Sequence, residues 1–286
     1  MNAGRSNAGA AAAAGRIDMK RLFDEWESAT ARIAGTHVFL FLDFDGTLAP
    51  IAPTPGDAAL PRGTRAVLER LAESPRCTVA VVSGRGVEDL RGKVGIPGIV
   101  YVGGHGLEAD GTEALPNYEP PRLVRELLAW MRREIGTRLA AVPGLFFEDK
   151  KAALAVHYRL AAPGDVARVE AEVRRTVEAL DVGGFLEIAA GKMVLEIRPR
   201  LDWNKGTAVD QLVRAEERLR GEAVFPVYVG DDATDEDAFR VLEGRGLAVL
   251  VGEPRESRAT HYVEDTEEVA RMLRTLAERC GEPLDR

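Results

Sequence analysis

The stretch that decides the fold is HVFLFLDFDGT, residues 37–47. Its first six residues, His37–Leu42, form an apolar run without polar alternation, which predicts a strand covered on both faces, as in a parallel sheet. Asp43 and Asp45 follow directly. Side chains two apart on an extended chain point the same way, so both carboxylates are placed above the carboxyl edge of the sheet, where open α/β sheets bind ligands. Gly46 permits the sharp turn that must come next. Two carboxylates so close repel each other unless a cation or a shared proton intervenes, and hard oxygen ligands favour Mg²⁺ over Zn²⁺. Taken alone, the string reads equally as an acidic turn at a strand end.

Working outward, four more buried-strand runs appear at 78–82, 99–102, 224–229 and 247–251. Helical patterns fit at 62–73, 87–93, 205–220, 235–242 and 266–279. This alternation predicts an α/β fold with a doubly wound parallel sheet, Rossmann-like in layout. Ahead of it, apolar residues at helical spacing over 16–34 predict a lead-in helix, and residues 1–15 read as a disordered tail. Prolines 116, 120 and 121 interrupt the alternation. Beyond them the order is helix (123–139), strands (145–149 and 152–158), helix (165–180) and strands (184–189 and 193–198). An α-β-β-α-β-β insert of this size makes a small second domain. The expected organisation is therefore a core of 16–117 plus 200–286 with an α+β cap inserted at 118–199, hinged at its proline-bearing connections.

Three further signals stand at three other strand ends. Ser83-Gly84-Arg85 offers a hydroxyl and backbone N–H groups at a helix start, an anion site. Asn204-Lys205-Gly206 brings an ammonium to the sheet edge just after the insert. Asp231-Asp232-Ala233-Thr234-Asp235 supplies more carboxylates. Each alone reads as an N-cap or a solvated charge; together they place a nucleophile, a hydroxyl, a cation and metal ligands on one edge.

Composition narrows the partners. The chain carries 38 basic and 46 acidic side chains, a net charge of −8, so no basic surface for nucleic acid or anionic lipid is expected. The apolar share of 45% against 29% charged residues excludes a disordered or fibrous chain. Only six lysines stand beside 32 arginines, which draws attention to each lysine kept. Cys77 and Cys280 have no metal-ligand spacing and predict free thiols in a cytoplasmic setting. No apolar stretch is long enough to span a bilayer. A monomer is expected.

In the insert, Glu148, Lys150, Lys192 and Glu196 fall on strand-like segments, with Glu148 and Lys150 on one face and Lys192 and Glu196 on another. Alternating donors and acceptors suit a polyhydroxylated ligand; cross-strand ion pairs on a solvent face are the other reading. His157 reads as structural.

The four core motifs, in order and spacing, resemble the haloacid dehalogenase superfamily of phosphotransferases. FLDFDGTLAPI (41–51), VVSGR (81–85), GGHGLE (103–108), WNKGTA (203–208) and YVGDDATDEDAF (228–239) resemble the trehalose-6-phosphate phosphatases within it. The resemblance implies a haloacid-dehalogenase core and a Mg²⁺-dependent phosphatase. Asp43 would be the nucleophile that becomes an aspartyl-phosphate and Asp45 the general acid and base. Asp43, the backbone carbonyl of Asp45, Asp231 and Asp235 would hold the metal. Thr47, Ser83, Gly84 and Lys205 would bind phosphate, and Asp232 would orient Lys205 or the loop. Arg85, His105, Glu148, Lys150, Arg159, Lys192 and Glu196 would bind the sugar. For His105 and Glu108, a place in the core–cap cleft and a helix-capping or packing role both stand. The alternatives are a phosphatase for another phosphosugar (sucrose, mannosylglycerate or glucosylglycerol phosphate) and a non-catalytic sugar-phosphate-binding module.

Overall fold

All six residues of His37–Leu42 are buried, and alternate side chains enter two different cores. Val38, Leu40 and Leu42 join one apolar cluster, while Phe39 and Phe41 join the other. A strand sandwiched in this way gains on both faces, each buried Leu or Phe contributing about 1.5–3 kcal/mol. That is why the run shows no polar alternation.

The computed structural model describes residues 19–115 and 117–281; the tail expected over 1–15 lies outside them. Along the chain run β1 (Lys20–Arg21), α1 (Trp26–Ala29), β2 (His37–Leu42), α2 (Arg62–Ala72), β3 (Cys77–Val82), α3 (Val87–Val94), β4 (Val100–Gly103) and β5 (Glu108–Asp110). Next come α4 (Arg122–Arg138), β6 (Phe146–Asp149), β7 (Leu154–His157), α5 (Val166–Leu180), β8 (Leu186–Gly191) and β9 (Val194–Pro199). The chain ends through α6 (Lys205–Arg220), β10 (Val224–Gly230), α7 (Glu236–Leu242), β11 (Leu247–Val251), β12 (His261–Val263) and α8 (Thr266–Gly281).

The larger sheet has the order β1-β12-β11-β10-β2-β3-β4-β5. Its pairings are parallel except that β5 runs antiparallel to β4 at the edge. Helices α2, α3 and α8 cover the cluster of Leu40, and α6 with α7 covers that of Phe41. From β2 the chain winds outward through β3 and β4, then returns to β10 on the other side of β2. The junction of β2 with β10 is thus the switch point, the expected place for a ligand.

Residues 19–34, the described part of the expected lead-in helix over 16–34, do not form one continuous helix. Lys20–Arg21 adds a parallel edge strand to β12, and only Trp26–Ala29 is α-helical, flanked by 3₁₀ turns. Tertiary packing overrides the period: Leu22 and Ile33 are buried, while Phe23 and Trp26 lie under the guanidiniums of Arg271 and Arg279. One straight helix could not supply both the edge strand and these contacts.

The second sheet, β6-β7-β9-β8, is antiparallel throughout. One face, with Leu154, Val156, Leu195 and Ile197, packs on α4 and α5 in a third apolar cluster. Its register aligns Glu148 with Ala155, Ala155 with Glu196, and Glu196 with Ala189. This row looks toward the carboxyl edge of the larger sheet.

Candidate active site

Asp43 extends β2 by one residue, its N–H bonding Val229 O at 2.9 Å, so the end of β10 fixes its position. At the start of α6, Lys205 sends its ammonium to Asp43 Oδ1 and Asp235 Oδ1, each at 2.7 Å. Asn204 caps that helix by accepting from Thr207 N at 2.9 Å, which sets where Lys205 begins. All three charged groups are buried. Burial lifts the Asp43 carboxyl well above the usual carboxylate range, with the Asp235 and Asp231 charges adding to the lift and Lys205 opposing it. Burial works against the Lys205 ammonium, but Asp235 and Asp43 outweigh it and hold its proton well above the usual lysine value.

Asp235 does more than stand in support. Its Oδ1 also accepts from the Tyr228 hydroxyl at 2.7 Å, and its Oδ2 accepts from Asp232 N at 2.9 Å. The carboxylate that orients Lys205 is therefore Asp235, while Asp232 caps the loop through Ala233 N. The side chain of Thr47, expected on the phosphate, is fully buried and donates to Asp231 Oδ1 at 3.5 Å. Gly46 has φ +85°, and a Cβ there would lie 2.2 Å from Asp231 Oδ2; both facts demand glycine.

Asp45 lines the same cleft as Asp43, although it lies beyond the end of β2, where the backbone turns. Both its oxygens are taken by Arg85, from Nε at 2.6 Å and Nη2 at 2.7 Å. The same guanidinium donates to Asp89 Oδ2 and Pro55 O. Arg85 is thus committed to holding the Asp45 loop. Ser83, at the end of β3, is buried, its hydroxyl accepting from Arg85 N at 3.2 Å.

The acidic groups fit a divalent cation. Asp43, Asp231 and Asp235 offer oxygens within 4.8 Å of one another, all buried. Lys205, with Lys192 on Asp231, sets two positive charges against three carboxylates; burial raises the Asp231 carboxyl as well, with Asp235 and Asp232 adding to the rise and Lys192 opposing it. Such a donor set is matched by a hard dication. Of Asp45, the backbone carbonyl alone remains for that role, its carboxylate being engaged by Arg85.

Across the cleft stands the second sheet. Lys150 Nζ binds Glu196 and also donates to Gly84 O at 2.8 Å, joining the two sheets. Glu196 takes His105 Nε2 at 3.1 Å on its other oxygen. Burial opposes ionisation of Glu196, but Lys150 and His105 outweigh it and hold the carboxyl well below its usual range. Burial lowers the His105 pKa. His105 itself sits at φ +56°, and a Cβ on Gly84 would touch its ring at 2.7 Å. Glu148, Lys150, Lys192 and Glu196 therefore line one cleft rather than two faces: the antiparallel register aligns Glu148 with Glu196 through Ala155, Lys150 follows the end of β6, and Lys192 stands in the β8–β9 loop. Arg159 also lines it, bonding Lys192 O at 2.8 Å.

Sequence reasoning missed His157. It shares the row of Phe146, faces the cleft and contacts Glu148 Oε2 through Nε2 at 2.8 Å. The loop 51–55 lines the cleft too. Glu108 caps α3, its Oε2 accepting from Val87 N at 2.9 Å, and lines a second cavity between the two sheets with Asn117, Glu148 and Lys150.

Sheet order, switch point and strand-end aspartates together place the chain in the haloacid dehalogenase fold. Residues 41–279 match the family model described as trehalose-phosphatase, and the chain belongs to that family. It is 38% identical over 260 residues to a trehalose-phosphate phosphatase of Mycobacterium avium, covering 89% of this chain and 64% of that protein. It is 32% identical over 273 residues to trehalose 6-phosphate phosphatase RA3 of Zea mays, covering 90% and 74%. The C-terminal domain of the C. albicans trehalose-6-phosphate phosphatase superposes with a TM-score of 0.78 at 25% identity, covering 91% and 98%. The chain thus spans less than two thirds of the length of the mycobacterial relatives, 59–64%. Among the described residues no helix is long and apolar enough to cross a membrane.

Proposed function

We propose that the chain hydrolyses trehalose 6-phosphate to trehalose and phosphate, with Mg²⁺ as the divalent cation. The observation that carries this reading is one cleft with two unlike walls. One wall is the buried Asp43–Lys205–Asp235 cluster; the other is the Glu148–Lys150–Glu196 array of the second sheet. The first suits a phosphoryl group, the second a neutral polyol whose hydroxyls both donate and accept.

Asp43 attacks phosphorus as the bond to the sugar oxygen breaks, giving an aspartyl-phosphate. Asp45 delivers a proton to the departing oxygen, then takes one from the water that cleaves the Asp43–phosphorus bond. Arg85 keeps Asp45 in place for both transfers. Lys205 orients Asp43 and meets the non-bridging oxygens, with backbone N–H groups near Ser83 and Gly84 assisting. Asp43, Asp231 and the Asp45 carbonyl would hold Mg²⁺, with Asp235 behind them; the ion supplies positive charge that offsets repulsion between carboxylate and phosphate. Residues 118–199 act as a cap whose closure excludes water and brings Glu148, Lys150, Lys192 and Glu196 onto the sugar.

The test is phosphate release from trehalose 6-phosphate with and without Mg²⁺, beside sucrose, mannosylglycerate and glucosylglycerol phosphates. Strong preference for trehalose 6-phosphate supports the reading; comparable turnover on several esters refutes its specificity.

A further inference from the structure

Lys192 stands apart from the other lysines of the cleft. It leaves the tip of the β8–β9 hairpin, where Gly191 pairs with Val194 and Lys192-Met193 form the two-residue loop. Met193 has φ +65°, a conformation that favours glycine at the second loop position. The turn is braced on both sides: Tyr158 N donates to Met193 O at 3.0 Å, and Arg159 Nη2 donates to Lys192 O at 2.8 Å. This fixed hairpin delivers the Lys192 ammonium to Asp231 Oδ2. Asp231 is only 5% exposed, whereas Lys192 is 49% exposed. The other oxygen of Asp231 accepts from Thr47.

We infer that Lys192 competes with the divalent cation for Asp231, so that filling the metal site frees the Lys192 ammonium for the cleft. The inference rests on the proposed metal site. An ammonium and a dication cannot both sit closely on one carboxylate oxygen without mutual repulsion. With the ion absent, Lys192 supplies part of the positive charge the aspartates require and holds the hairpin on the core. With the ion present, Lys192 is expelled and becomes available to the ligand in the cleft. Because the ammonium is half solvated, the competition is modest. Metal affinity should change by a factor of about 3–10, not by orders of magnitude.

The experiment is calorimetric titration of the whole chain, free of substrate, with Mg²⁺ alone. Lys192→Gln should bind Mg²⁺ about 3–10-fold more tightly than wild type, and Lys192→Arg within about twofold of it. Asp231→Asn should lose at least tenfold, about 1.4 kcal/mol. Unchanged or weaker binding by Lys192→Gln, with Asp231→Asn defective, overturns the competition and leaves the metal site standing. Wild-type binding by Asp231→Asn overturns the metal site and the inference together.

Discussion

The core cluster and the charged face of the second sheet both set carboxylates against lysines, yet they are built in opposite ways. Asp43, Lys205 and Asp235 start or extend regular elements of one sheet, and each is anchored by its neighbours inside the same layer pair. Glu196 and Lys150 belong to the other sheet and find their further partners, His105 and Gly84 O, across the cleft. The first arrangement holds reacting groups at fixed positions, which phosphoryl transfer needs because most of its catalysis is positioning and charge. The second depends on contacts made across the cleft. On the proposed function, chemistry falls to the first wall and recognition to the second.

The sharpest break in this contrast is Asp43→Asn. Turnover should fall at least about 10⁴-fold, while the melting temperature without metal stays equal or rises, because burial already disfavours that charge. Steady-state kinetics with a thermal melt check both halves. Lys205→Met comes next, with a loss of about 10³-fold. It leaves buried carboxylates without their cation, costing about 3–5 kcal/mol, and the melt should drop by roughly 10 °C for a chain of this size. On the other wall, Lys150→Met and Glu196→Gln should cut kcat/KM for trehalose 6-phosphate by about 10–100-fold. A small aryl phosphate should be nearly unaffected, and equal losses on both substrates would erase the division of labour between the walls.

The smallest effect is in acid. The Glu196 carboxyl is depressed in the folded chain, so its contribution is full above its ordinary value near 4.5. That contribution is lost as pH falls, since the unfolded chain takes up the proton first. Denaturant melts between about pH 5 and 3 should show wild type losing on the order of 2 kcal/mol more than Glu196→Gln. Parallel curves would contradict the assignment.

Much of the core was legible because its signals are local. HVFLFL names a strand buried on both faces, and the strand-end motifs need no knowledge of pairing to be placed on one edge. The side-chain partnerships were hidden, since they join distant segments. Nothing in DFDGT says that Asp45 turns to Arg85, or that Asp235 rather than Asp232 steadies Lys205. On the second sheet, strand positions were readable but register was not, so His157 was missed and one row was split into two faces. The lead-in segment misled for another reason: its apolar spacing is helical, yet α8 and β12 together offer it a better site as an edge strand with turns.

On the proposed mechanism Asp43 carries the phosphoryl group in transit. Rapid acid quench of the pure chain turning over trehalose 6-phosphate with Mg²⁺, followed by peptide mass mapping, tests it directly. An acyl phosphate is expected on the peptide containing residues 41–51, located at Asp43 and absent in Asp43→Asn. Steady turnover with no phosphoryl group on Asp43 at any quench time, or with one on another side chain, would contradict it.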